Sequence, residues 1–242
     1  MKTKLSLLLS LTILAMVFDS CKKDKVCIDG NGEFVQETRF PDAFNSVKID
    51  NDANLYFAPG AENRIDLFAE SNINPLIKTD VSQGVLMISV NDDECYTATA
   101  APEITLSSPD CNEFYMNGSG KLEAHGINGD YFKIATTGSG PINGSLGVNK
   151  LDVTSEGSGD INLAGYAREC NITLLASGNV YASNVESATC VIVSEGSGDI
   201  TIHVTVSLSV VIKGSGNVYY SGNPPIIEKT TPGSGELIHQ GK

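Results

Sequence analysis

The triplet Gly-Ser-Gly, or a copy differing from it by one residue, begins at Gly118, Gly138, Gly157, Ala176, Gly196, Gly214 and Gly233. The successive intervals are 20, 19, 19, 20, 18 and 19 residues. A period this regular restricts the chain to architectures that stack one supersecondary unit many times, because a unit so short cannot bury its apolar face alone.

Set in register on the triplet, the units show what is stacked. Six residues before it stand Asn112, Phe132, Leu151, Cys170, Cys190, Leu208 and Ile227, and four before it stand Phe114, Ile134, Val153, Ile172, Ile192, Val210 and Lys229. The residues between these columns are mostly polar, so the segment alternates with the period of two expected of a strand. Four residues after the triplet start, Leu122, Ile142, Ile161, Val180, Ile200, Val218 and Leu237 mark a second strand. Each unit reads as strand, triplet corner, strand, second turn. Stacked at the ~4.8 Å separation of paired strands, the apolar columns become one core. Glycine at the corner answers either a positive φ or a close approach of neighbouring backbone, and the serine is expected to hydrogen-bond corner backbone groups.

One repeat per coil makes Cys170 and Cys190 neighbours on adjacent rungs. Alternate copies match better than adjacent ones, SEGSGDI at Ser155 and Ser194 and SGNVYAS at Ser177 with SGNVYYS at Ser215, which also fits a coil of double length. The single-repeat coil is preferred because strands of about five or six residues fit its turn. Residues 34–116 lack the triplet but alternate in the same way, at Val47, Ile49, Ala53, Leu55 and Phe57, and at Leu86, Ile88 and Val90. They read as an N-terminal β portion continuous with the triplet repeats of residues 117–242, the two forming one domain over 34–242.

The first residues are of another kind. Lys2 and Lys4 precede an apolar run from Leu5 to Phe18, shorter than a spanning helix requires, so residues 1–20 read as a signal peptide. Ser20-Cys21 directly after this run resembles the lipobox of bacterial lipoproteins, which makes Cys21 the candidate lipidation site and residues 21–33 a tether. Lipidation leaves Cys27, Cys95, Cys111, Cys170 and Cys190, an odd number, among which Cys95 and Cys111 flank a Pro-containing segment and form a candidate disulfide.

The stretches FNSVKIDNDANLYFAPG and VSQGVLMISV, together with tandem triplets followed by Asp-Ile or Asn-Val, resemble the bacterial "putative auto-transporter adhesin, head GIN domain" family over about residues 40–240. The family is common as lipoproteins in Bacteroides-like organisms. The resemblance implies a right-handed single-stranded parallel β-helix, an adhesive or binding role, and no catalytic residues to transfer.

The residues themselves exclude several chemistries. With 16 basic against 29 acidic residues the chain would repel nucleic acid. A phosphate-cradling loop must open a helix, whereas every triplet here opens a strand, which argues against a nucleotide. The three histidines are scattered and no cysteine pair has ligand spacing, so neither metal nor cofactor is expected. Glu156, Asp160, Glu195 and Asp199 recur on one corner as a candidate ligand or cation patch, against the plainer reading of a solvated corner. Tyr181 and Tyr219 share an outward column, with Tyr220 and Tyr166 nearby, and form a candidate aromatic binding face. The function expected is a non-enzymatic envelope or surface lipoprotein. It would be held at the outer membrane by its lipid and would bind a surface glycan or protein. The alternative is a polysaccharide-acting β-helix enzyme, which would need paired carboxylates on inserted loops.

Overall fold

A computed structural model describes residues 26–91 and 93–241. The leader, Cys21 and the first tether residues lie outside the described residues. Of the described residues, 62% lie in strands. Its N-terminal strands are β1 (Ile28–Asp29), β2 (Phe34–Arg39), β3 (Ser46–Asp50), β4 (Asn54–Pro59), β5 (Arg64–Glu70), β6 (Ile77–Ser82), β7 (Val85–Val90), β8 (Tyr96–Thr97), β9 (Glu103–Ser108) and β10 (Glu113–Met116). The repeats supply β11 (Leu122–Thr136), β12 (Ile142–Ser155), β13 (Ile161–Leu174), β14 (Val180–Ser194), β15 (Ile200–Ile212), β16 (Val218–Ser221), β17 (Ile226–Thr230) and β18 (Leu237–His239).

The repeats form a β-solenoid of parallel coils with one triplet per coil. Leu122, Ile142, Ile161, Val180, Ile200, Val218 and Leu237 are consecutive register partners, and so are Phe114, Ile134, Val153, Ile172, Ile192 and Val210. Both columns are buried except at the last rung, where Leu237 is half-buried and Lys229, the partner of Val210, is exposed. The coil of double length is thereby excluded. The second turn expected within each unit is absent from β11 to β15: each is a single strand of 13 to 15 residues that bends. Register shifts such as the one between Asn162 and Ala164, next to Gly165 at φ +121°, absorb the bend as β-bulges do.

The triplet corners keep the hydrogen-bond ladder continuous. Ser139 N–H donates to the Gly118 carbonyl and Ser197 N–H to the Ala176 carbonyl, both at 3.1 Å. None of the triplet glycines has a positive φ, so close approach is the cause of the glycine. A Cβ at Gly140 would run into the carbonyl oxygen of Gly120 one rung earlier, and one at Gly138 into that of Gly118.

The N-terminal portion builds its rungs out of chain order. Val47 of β3 pairs with Phe114 on one side and Leu86 on the other, while Leu55 of β4 lies between Leu122 and Ile104. The first rung made is therefore inserted between later ones. Antiparallel β5 and β6 then cover this end, with β2 outermost beside β5. Phe57, Phe114 and Phe132 meet edge to face, with centroids 5.0 and 5.9 Å apart, and join this portion to the solenoid core.

Residues 28–33, read as tether, are fastened to the cap. Cys27 bonds to Cys95, in place of the candidate Cys95–Cys111 pairing, and Cys111 is a free, buried thiol. Sequence proximity misled here, because β1 lies parallel to β8 and brings together cysteines 68 residues apart. The buried Glu70 carboxylate accepts the Gly32 N–H at 2.6 Å and both the N–H and hydroxyl of Thr99 at 2.9 Å. Gly30 packs against that carboxylate, which any side chain there would have to displace.

Candidate functional site

Three longitudinal features of the solenoid carry the residues singled out above. The first is the corner itself. Ser119, Ser139, Ser158 and Ser177 are exposed rather than turned toward the corner backbone as expected, because the neighbouring carbonyls are already satisfied by main-chain donors. Together with Asn117, Thr137 and Glu156 they flank an open groove of about 560 Å³ whose floor is the glycine column. Asp52 closes one end, accepting the Ser119 N–H at 2.8 Å and its hydroxyl at 2.7 Å.

The second feature begins just after the corner. Asp160 Oδ1 accepts the Asn179 N–H, Asn179 Oδ1 that of Asp199, Asp199 Oδ1 that of Asn217, and Asn217 Oδ1 that of Glu236, all at 2.7 to 2.9 Å. Each side chain thus replaces a main-chain acceptor where the strand restarts, the role such short polar side chains play at turns. Asp160 and Asp199 are two members of this ladder. Glu156 and Glu195 are exposed beside it, and Glu195 pairs with Lys213 at 2.6 Å. The four acids do not converge, and among the described residues no group of three metal-ligating side chains forms.

The third feature is an outward column on the face opened by these strands. Tyr181, Thr201 and Tyr219 are consecutive register partners, and the Thr201 hydroxyl is buried without a partner. On the other side of Tyr181 the column continues through Asn162, Asn143 and Glu123. Asn162 Nδ2 donates to Asn143 Oδ1 at 3.0 Å, and Asn143 Nδ2 to Glu123 Oε1 at 2.9 Å. Tyr220 has inward parity, pairs with Ile202 and stacks on His239 at 4.7 Å, so it closes the core end and leaves the aromatic face to Tyr181 and Tyr219. Tyr166 pairs with Gly147 and Glu186, beyond the bend. The amide ladder escaped the sequence reading, although the column five residues after the triplet start holds its signal.

Two arrangements bear on catalysis. His203 Nδ1 lies 2.8 Å from Ser221 Oγ, with Glu186 as the register neighbour of His203, but no hydrogen bond joins carboxylate and imidazole. A general acid needs a carboxyl held protonated near neutrality, whereas the carboxyls that the fold perturbs are lowered. Burial would raise Asp152 and Glu70, and hydrogen bonds from Asn171, Tyr131 and Lys150 to the first, and from Thr99 and Gly32 to the second, outweigh it.

Comparison with known families matches residues 43–224 to the profile of the "putative auto-transporter adhesin, head GIN domain". The chain belongs to this family. A "putative adhesin" from Bacteroides fragilis NCTC 9343 is 25% identical with a TM-score of 0.82, over 88% of this chain and all of that one. The adhesin family shares its fold with two further solved proteins of lower identity. One is a "putative adhesin" from Parabacteroides merdae ATCC 43184, at 24% identity and a TM-score of 0.67, covering 88% of this chain and 98% of its own. The other, described as a "putative lipid binding protein" from Parabacteroides distasonis ATCC 8503, is 22% identical with a TM-score of 0.68, covering 89% of this chain and 100% of its own. No curated protein matches. Membership of an adhesin family fits a surface or envelope protein, and among the described residues no helix is long and apolar enough to cross a membrane.

Proposed function

We propose that this chain is an exported, lipid-anchored, non-enzymatic binding module of the bacterial envelope, held by acylated Cys21, whose ligand is a linear glycan lying along the solenoid axis. The observation that carries the ligand class is the outward column running from Tyr219 and Tyr181 into the Asn162–Asn143–Glu123 ladder. Aromatic rings offer a stacking surface to the apolar face of a sugar, and amide and carboxylate groups in the same line answer its hydroxyls. The ~4.8 Å separation of rungs is close to the rise per sugar of an extended β-1,4-linked chain, so successive sugars would meet equivalent positions.

The test is a glycan and protein array probed with the mature chain, followed by Tyr181→Ala and Tyr219→Ala. Each change is expected to weaken glycan binding at least about tenfold, a loss of ~1.4 kcal/mol. Tyr166→Ala, outside the column, should leave it unchanged. Binding confined to proteins, or undiminished in the double variant, would refute the glycan reading. Anchoring is tested separately: Cys21→Ala should move the chain from the membrane to the soluble fraction, because the acyl chains supply the attachment.

A further inference from the structure

The end of the solenoid nearest the anchor carries apolar side chains where an edge strand in water would carry charge. Strand β2 is the outermost strand of the cap, and every residue in it but Arg39 is exposed. Soluble proteins protect such edges with charged residues, yet β2 begins Phe34-Val35, both 40% exposed. Phe34 stacks on Phe68 of β5, itself 43% exposed, with ring centroids 5.3 Å apart. Ile28, on the segment leading to β2, adds a further exposed aliphatic group.

Two of the acids around this patch are paired with arginine, on a chain whose formal net charge is −13. Glu37 pairs with Arg39 and Asp66 with Arg64, each at 2.9 Å, and the Glu70 carboxylate is buried beneath Gly32 and Thr99. The two stacked rings form an apolar patch, with the exposed acids Glu33 and Glu103 at its rim.

Its distance from the anchor is limited by covalent geometry. Six residues of fully extended chain lead from Cys21 to Cys27, at most about 21 Å, and Cys27 is fixed to the cap by its bond to Cys95. The triplet corners alone extend over six strand spacings, about 29 Å, in the direction away from the cap. Resting on the lipidation of Cys21 proposed above, we infer that Phe34 and Phe68, which share the outer face of the cap, dock into the interfacial region of the lipid bilayer. The solenoid would then meet the membrane cap first, and the tyrosine column would be carried outward on its flank.

The chain contains no tryptophan, which gives a clean probe. Full-length lipidated protein carrying Phe68→Trp is reconstituted in phosphatidylethanolamine–phosphatidylglycerol vesicles, and its emission is followed with lipids brominated at a shallow acyl position. A second protein carries Val191→Trp, on the exposed face of β14 far from the cap. Docking requires a blue shift and loss of emission for Trp at 68 and neither for Trp at 191. Equal, solvent-like emission from both while the protein stays with the vesicles overturns docking and leaves anchoring intact. An N-terminal peptide mass without acyl groups overturns anchoring, and the docking inference falls with it.

Discussion

Cys170 and Cys190 are direct register partners on β13 and β14, one coil apart, each with 1% of its surface exposed. The hydrogen bond that the Cys190 thiol makes to Cys170, reinforced by burial, raises Cys190 well above its ordinary value. Both side chains are buried beyond the reach of solvent, so neither residue should be alkylated by iodoacetamide in the native protein at neutral pH. In guanidinium both should label together with Cys111. Peptide mapping that finds either one modified under native conditions would contradict this packing.

The corner glycines should resist even a methyl group. Gly138→Ala and Gly140→Ala each place a Cβ against a carbonyl oxygen of the preceding rung, a form of overpacking that costs about 1 to 3 kcal/mol. The exposed Ser139→Ala between them should change stability by less than ~0.5 kcal/mol. The first and third positions of the triplet should be about equally strict. The contacts show no asymmetry between them, and Ala53 occupies the third position in the rung before Gly120. Urea midpoints of the three variants decide it.

Asp199 works through its acceptor oxygen and not through its charge. Asp199→Asn should leave stability nearly unchanged, since Asn179 and Asn217 make the same bond in neighbouring rungs. Asp199→Ala should cost about 1 kcal/mol by leaving the Asn217 N–H without its acceptor. A large loss on changing Asp199 to Asn, or a calcium-dependent shift in the melting temperature of the parent protein, would restore a charge-based role for this corner.

Acid should release the N-terminal clasp. Burial works to raise Glu70, but donors from Thr99 and Gly32 hold its folded pKa below the reference 4.5. A carboxyl lowered in this way contributes stability that is fully present above its unfolded value and is lost as pH falls through the folded value. Hydrogen exchange at the Gly32 and Thr99 amides should therefore accelerate, relative to core amides, as the pH falls below the reference 4.5 and through the lower folded value. Glu70→Gln should show the fast exchange already at neutral pH, while the Cys27–Cys95 bond keeps the segment attached. Unchanged protection in that variant would remove Glu70 from the clasp.

The parallel coils were legible because every core position recurs in a fixed register with the triplet, from Phe132 to Val218. The order of the first rungs was not, since nothing local to Val47 or Leu55 indicates that later strands will pair on both of their sides. The same non-locality hid the Cys27–Cys95 bond and the Glu70 clasp. At the surface, Tyr181 and Tyr219 were found by parity alone, whereas Asp160 and Asp199 looked like a charge patch until their acceptor role became visible beside Asn179 and Asn217. A column mixing Asp and Asn signals hydrogen bonding more than charge.

Stacked parallel rungs have the geometry of a cross-β fibre, in which each exposed end is a template for the next chain. Here the two ends differ. At one, antiparallel β5 and β6 interrupt the parallel register; at the other, Lys229 stands in the column that every earlier rung fills with an apolar side chain. A further strand added there would have to enclose an ammonium group with no opposing carboxylate, a desolvation penalty of several kcal/mol. Lys229 thus works as a gatekeeper, disfavouring the addition of another chain at this end of the coil.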